Sequence, residues 1–127
     1  MKALVYAGPG KREVRDVEKP RILNDGDAVV KLTKTTICGT DLHILGGDVP
    51  ACKEGTILGH EGIGIVEEVG SGVKHFKVGD KVIISCVTAC GVCDYCKVAL
   101  YAHCKDGGWI LGHLIDGTQA EYVHIPQ

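Results

Sequence analysis

The sequence predicts a mainly β domain, an irregular and partly open β-barrel with short helices. Three observations predict it. Eighteen glycines cut the chain into short runs rich in Val and Ile, no long amphipathic helix interrupts those runs, and glycine-containing turns bound them. Taken in order, Lys2 to Ala7 reads as the first strand. Ala28 to Thr36 alternates apolar and polar residues over part of its length, with Val30 and Leu32 set against Lys31 and Thr33, which suits a strand with one wet face. Ile63 to Val69, Lys81 to Ser85 and Ala120 to Ile125 are the next three strands, and Gly70-Ser71-Gly72 and Gly79-Asp80 make turns between them. A short helical turn is expected around Asp41 to Leu45, with Thr40 or Asp41 as its cap. A second is expected through Cys96 to Ala102. No internal repeat, low-complexity tract or linker is visible.

A chain of 127 residues suits one domain, residues 1–127, that buries roughly two-thirds of its unfolded surface. A formal net charge of −2 gives no electrostatic case for nucleic acid or for an anionic membrane. No run of about eighteen apolar residues exists to span a bilayer. The N-terminus lacks the apolar segment of a secretion signal, so the seven cysteines read as reduced thiols and the expected location is the cytoplasm.

Four of those cysteines, Cys90, Cys93, Cys96 and Cys104, fall within fifteen positions. Zinc favours four thiolates at about 2.3 Å in a tetrahedron. The Cys-x-x-Cys spacing supplies neighbouring ligands from a tight turn, which Gly91 eases. Disulfides would leave an awkward pairing, and the βαβ context of a redox Cys-x-x-Cys motif is missing. A closed four-thiolate site has no open position for substrate, so its expected role is structural: a zinc-binding lobe at about residues 88–107. Only Lys97 and Lys105 decorate it, which makes a nucleic-acid-binding finger a weak alternative.

A second constellation lies upstream. Cys38 and His60 stand on two separate loops and are suitable ligands for a zinc ion that keeps a position open for water or substrate. Taken alone, a Cys and a distant His are a weak signal, and a buried thiol beside a packed imidazole is the simpler reading. The surrounding residues change that. Gly59-His60-Glu61-Gly62-Ile63-Gly64 with Gly70 resembles the signature of zinc-containing alcohol dehydrogenases of the medium-chain superfamily. The resemblance extends to Met1-Lys2-Ala3-Leu4-Val5, Ile37-Cys38-Gly39-Thr40-Asp41-Leu42-His43, Val78-Gly79-Asp80-Lys81-Val82, the four-cysteine lobe and Asp116-Gly117-Thr118-Gln119-Ala120-Glu121-Tyr122-Val123. It covers essentially the whole chain, in order.

The resemblance implies the GroES-like fold of that family's catalytic domain, with an NAD(P)-dependent oxidation of an alcohol to an aldehyde or ketone. It implies Cys38 and His60 as catalytic zinc ligands, with a third ligand past this chain's last residue. Glu61 would ligate the metal or lie close to it, and Asp41 would orient the imidazole of His60 unless it caps the helix instead. Thr40 would accept the substrate proton, and His43 would pass it to solvent. Gly39 stands where some relatives carry a basic residue near the coenzyme phosphates, which argues against such a contact here. No Gly-x-Gly-x-x-Gly fingerprint follows a strand: Glu67 stands at the third glycine position after Gly62-Ile63-Gly64, and His75 after Gly70-Ser71-Gly72. The Rossmann coenzyme domain is therefore expected to be absent, with NAD or NADP bound only in its presence.

Other residues take plainer readings. Cys52 and Cys86 match no metal motif, and His75, His113 and His124 read as packed or solvated. His103 abuts a lobe that is already complete. Trp109 and Tyr122 read as packing aromatics, with Leu42, Ile44 and Trp109 also candidates to line a substrate pocket. Two functions follow as expectations. One is the zinc-bearing catalytic domain of an alcohol dehydrogenase, excised or truncated and inactive alone. The other is a stand-alone zinc-binding structural or interaction module. Removal of the coenzyme domain should also bare an apolar cleft surface, which favours self-association.

Overall fold

A computed structural model describes residues 1–126 and places the chain's apolar runs in two antiparallel sheets. Strands β1 (Lys2–Tyr6) and β2 (Arg12–Asp16) form a hairpin. Strands β3 (Ala28–Thr35), β4 (Gly62–Val69), β5 (Lys81–Ile84) and β6 (Tyr122–Ile125) form a second sheet in the order β5-β4-β3-β6. Bridges from Ala3 to Ala120 and from Val5 to Ile57 tie the hairpin to the segments that lead into β6 and β4. The two sheets do not close into a barrel among the described residues. The interior is aliphatic: Val30, Ile84, Leu111 and Val123 make one cluster, and Tyr6, Ile44, Cys52 and Leu58 another. No described helix is long and apolar enough to cross a membrane.

Strand β2 escapes the sequence reading. Four of its five residues are charged and all five are exposed, so no apolar alternation marks it. It is held by ladder bonds to β1, in a register that sets Leu4 opposite Val14. Strand β6 starts at Tyr122, two residues later than expected, because Ala120 is spent on its bridge to Ala3.

Helix α1 (Gly39–Gly46) is the expected helical turn, lengthened at both ends. Its N-cap is Cys38, not Thr40 or Asp41, and the Asp41 carboxylate reaches back to accept the Cys38 N–H at 2.8 Å. The helix expected through Cys96 to Ala102 is broken. A single turn, α2 (Asp94–Lys97), is followed by a 3₁₀ turn at Tyr101–His103. Between them Ala99 takes a φ of 61°, a left-handed conformation that no helix can pass through.

Asp27, fully buried, anchors the start of β3. Its Oδ2 accepts the Asn24 N–H at 2.8 Å, the Leu23 N–H at 3.2 Å and a bond from His124 Nε2 at 2.8 Å. Burial alone would raise this carboxyl, but the bonds from His124, Asn24 and Leu23 outweigh it and hold the group below its ordinary value of 3.8. A depressed carboxyl contributes stability above its unfolded value and loses it as pH falls through its folded one. Asp27→Asn should therefore cost about 2 kcal/mol at neutral pH and flatten the decline of stability below about pH 4. Urea midpoints at pH 7 and pH 3 test this, and equal slopes for variant and parent would contradict it.

Candidate metal centres

The lobe is a loop pinched at its base. Thr88 and Gly108 exchange backbone hydrogen bonds of 2.9 and 2.8 Å, and everything between them folds around the cysteines. Cys93 caps α2, Cys96 is buried on it, Cys104 follows the 3₁₀ turn and Cys90 precedes the Gly91 turn. The four sulfurs all lie within 4.8 Å of one another, and no disulfide joins them. A tetrahedron of thiolates at zinc distances has edges of about 3.8 Å, so the four are close to a ready-made cage.

Backbone amides are aimed at these sulfurs. The backbone N–H groups of Lys105 and Cys96, close to Cys93, pull its thiol down to about 6. Cys104 is lowered chiefly by the Cys90 N–H, at 3.3 Å, and by that of Asp106. Cys96, the most enclosed, is pushed up to about 12 by burial and by the sulfurs around it. Thiolates this close repel, so one keeps its proton until a divalent cation sits among them. The donor set fits zinc.

The second cluster forms where α1 meets the loop before β4. Cys38 Sγ, a ring nitrogen of His60 and a carboxylate oxygen of Glu61 lie within 4.8 Å of one another. His60 is buried, while the Glu61 side chain is 49% exposed and approaches His60 Nε2 at 3.9 Å. One side of the cluster is thus open to solvent. Mixed sulfur, nitrogen and oxygen donors with an open side suit a metal that must also hold a small molecule.

Glycine explains why His60 stands there. Gly59 has a φ of +95°, and a Cβ on it would lie 2.6 Å from Gln119 Cγ and 2.9 Å from Thr118 Oγ1. Gly117 is equally confined, because its Cβ would run into the carbonyls of Gly59 and Leu58. Segment 117–119 can then lie flat against 57–59, with Gly117 N–H to Ile57 O at 2.8 Å, Thr118 N–H to Gly59 O at 2.9 Å and Gln119 N–H to Leu58 O at 2.8 Å. The Thr118 hydroxyl donates to the Glu61 carbonyl at 3.0 Å.

The remaining expected residues fall around this cluster. The Thr40 hydroxyl is 3.8 Å from Cys38 Sγ. His43 is on the exposed side of α1, with Nδ1 2.9 Å from Asp48 Oδ2. Asp41 is buried with Oδ2 engaged by Cys38, and its Oδ1 has no hydrogen-bond partner among the described residues. The helix-capping role is therefore filled, and no bond from Asp41 to His60 is formed in this structure. Ile44 faces the core rather than a pocket, whereas Leu42 is exposed.

His113 was read as a packed histidine and is one, yet it adjoins the site. Its ring stacks on Trp109 with centroids 3.9 Å apart. Burial pushes its imidazole below the ordinary range, the Leu111 backbone opposes that, and the charge of nearby His60 adds to it. No sequence signal marks this proximity, which arises from Gly112 packing on the Gly59 backbone.

The fold and the two donor clusters define a β domain with two groups of residues suited to hold a metal ion. Residues 24–127 match the alcohol dehydrogenase GroES-like domain. Among solved structures, zinc-dependent alcohol dehydrogenase 2 from Streptococcus pneumonia superposes with a TM-score of 0.94 at 64% identity, over 99% of this chain and 36% of that one. Alcohol dehydrogenase TADH from Thermus sp. ATN1 superposes with a TM-score of 0.93 at 37% identity, over 99% of this chain and 37% of its own. An uncharacterized zinc-type alcohol dehydrogenase-like protein of Bacillus subtilis, AdhB, is 42% identical over 137 aligned residues, which take in 99% of this chain and 36% of the relative. The chain belongs to the zinc-type alcohol dehydrogenase family and corresponds to its GroES-like domain. It spans about a third of the length of these relatives.

Proposed function

We propose that the chain is the zinc-carrying catalytic part of an NAD(P)-linked alcohol dehydrogenase, which oxidises an alcohol to an aldehyde or ketone by hydride transfer. The convergence of Cys38, His60 and Glu61 donors at a solvent-open point carries this reading. Bound there, zinc supplies the Lewis acidity that makes an alcohol hydroxyl a stronger acid. The protein's own groups then move the proton. Thr40, beside Cys38, accepts it while releasing its own, since a hydroxyl both receives and donates. His43, with its side chain 70% exposed, delivers the proton to water, and Asp48 at Nδ1 steadies the ring. Asp41 caps α1 and fixes the backbone of Cys38, the residue that would supply the sulfur ligand.

Hydride needs an acceptor, and no glycine fingerprint for a dinucleotide is present in the sequence. NAD or NADP is accordingly assigned to a coenzyme-binding part outside these residues, and the purified chain is expected to show no NAD(P)-linked turnover alone. The first test is zinc per chain by elemental analysis. We expect two, one for each donor cluster, and Cys38→Ser should lose one while leaving the lobe filled. A parent ratio near one, unchanged by Cys38→Ser, would instead favour a structural zinc module.

A further inference from the structure

We propose that His113 is a substrate-selecting residue: its imidazole hydrogen-bonds a second polar group on the carbon next to the one oxidised, so vicinal diols and α-hydroxyketones are the favoured substrates. This rests on the reading of Cys38, His60 and Glu61 as the metal centre of an alcohol dehydrogenase, and adds a substrate class to it.

Backbone fixes His113 beside that centre. The N–H groups of Leu114 and Ile115 both return to the Ile110 carbonyl, at 2.9 and 3.1 Å, and close residues 110–115 into a tight turn. Gly112 in this turn has a φ of +80°, and a Cβ on it would lie 2.5 Å from the Gly59 carbonyl oxygen. The turn therefore packs on the backbone just before His60. Leu114 and Ile115 line a separate cavity that neither Cys38 nor His60 borders. His113 stays near enough to His60 for the charge of one ring to weigh on the other. Its nitrogens are nonetheless outside the set of donors that converge within 4.8 Å. A group too distant to ligate, yet adjoining a ligand, is placed to meet the atoms of a bound molecule one or two bonds beyond the metal-bound one.

Packing does not account for a histidine here. The ring is buried and lies on Trp109 with the planes 22° apart. A phenyl ring would stack as well and bury no polar atom. The imidazole instead leaves Nδ1 without a hydrogen-bond partner among the described residues, and an unpaired buried polar atom destabilises a fold. Three buried side-chain atoms are unpaired in this way, and two of them, His113 Nδ1 and Asp41 Oδ1, belong to residues that adjoin the donor cluster. Hydrogen bonding is thus least complete where a ligand belongs. A neutral imidazole both donates and accepts, so it suits a hydroxyl or a carbonyl. Sites built to hydrogen-bond a substrate group discriminate strongly against analogues that lack it.

The test uses the zinc-loaded 127-residue chain and two probes of similar size, 1,2-propanediol and 1-propanol, titrated while the imidazole nitrogen resonances are followed by NMR. The diol is expected to bind at least about fivefold more tightly, the contribution of one added hydrogen bond, and to shift the His113 nitrogens where the alcohol does not. His113→Phe keeps a ring for Trp109 to stack on, so it should hold its zinc and melting temperature and lose the preference. A preference undiminished in His113→Phe would overturn the proposal by assigning it to chelation of the metal by both hydroxyls. Equal binding of the two probes to the parent would overturn it as well, while leaving the metal centre as the alcohol site. Binding of neither probe would also overturn it, and if Cys38→Ser then lost no zinc, the reading of the metal centre would fall with it.

Discussion

Cys93→Ser is expected to strip one zinc ion from the chain and to open the lobe while leaving the other donor cluster intact. Cys93 stands at the N-cap of α2, where the nearby backbone N–H groups of Lys105 and Cys96 favour its thiolate. A serine hydroxyl does not ionise near neutrality, so it neither replaces the thiolate as ligand nor holds those amides as strongly. Little else supports this segment. Val92, Val98 and Leu100 are exposed, and α2 is a single turn. In a fold where the metal stands in for an apolar core, losing the metal means losing the fold of that region. The melting temperature should fall by more than about 10 °C, with Cys38, His60 and Glu61 still able to retain their own ion. Elemental analysis beside a thermal melt checks both, and unchanged zinc with an unchanged melt would remove the four-cysteine assignment.

Gly117→Ala is expected to do the reverse. The added methyl would meet the carbonyls of Leu58, at 2.7 Å, and Gly59, which belong to the segment that ends in His60. Neither obstacle is a flexible side chain, so the two backbones must separate and the three hydrogen bonds joining 117–119 to 57–59 must stretch or break. Overpacking against backbone should cost about 3 kcal/mol. The displacement falls on His60 and on the Glu61 carbonyl that Thr118 holds. Zinc should then be lost from the Cys38, His60 and Glu61 cluster while the cysteine lobe, closed at Thr88 and Gly108, keeps its ion. A variant with parental stability and two zinc ions would show that the glycine is not required there.

These two substitutions mark what was and was not legible in the sequence. The four-cysteine cluster was legible from residue type and spacing, whereas Cys38, His60 and Glu61 were legible only through the family resemblance of the motifs around them. Strands β1, β3, β4, β5 and β6 were legible because Val, Ile and Leu recur along them between glycine turns. Strand β2 was not, since its stability comes from pairing with β1 and not from burial. The break at Ala99 was hidden as well, because alanine is a good helix former and nothing in its identity signals a positive φ. The bond between Asp27 and His124 spans 97 positions. It exists because the register of β3 and β6 sets Val29 opposite His124, and nothing local to either residue foretells it. The nearness of His113 to His60 is of the same kind.

The bracing of the His60 loop by residues 117–119 also imposes an order on synthesis. Cys38 and His60 leave the ribosome first, and the segment that braces the loop between them, residues 117–119, emerges more than fifty residues after His60. The lobe needs nothing beyond Gly108 to close its base. During translation the cysteine lobe can therefore capture its ion first, and the mixed-donor cluster stays unbraced until residues 117–119 have cleared the exit tunnel.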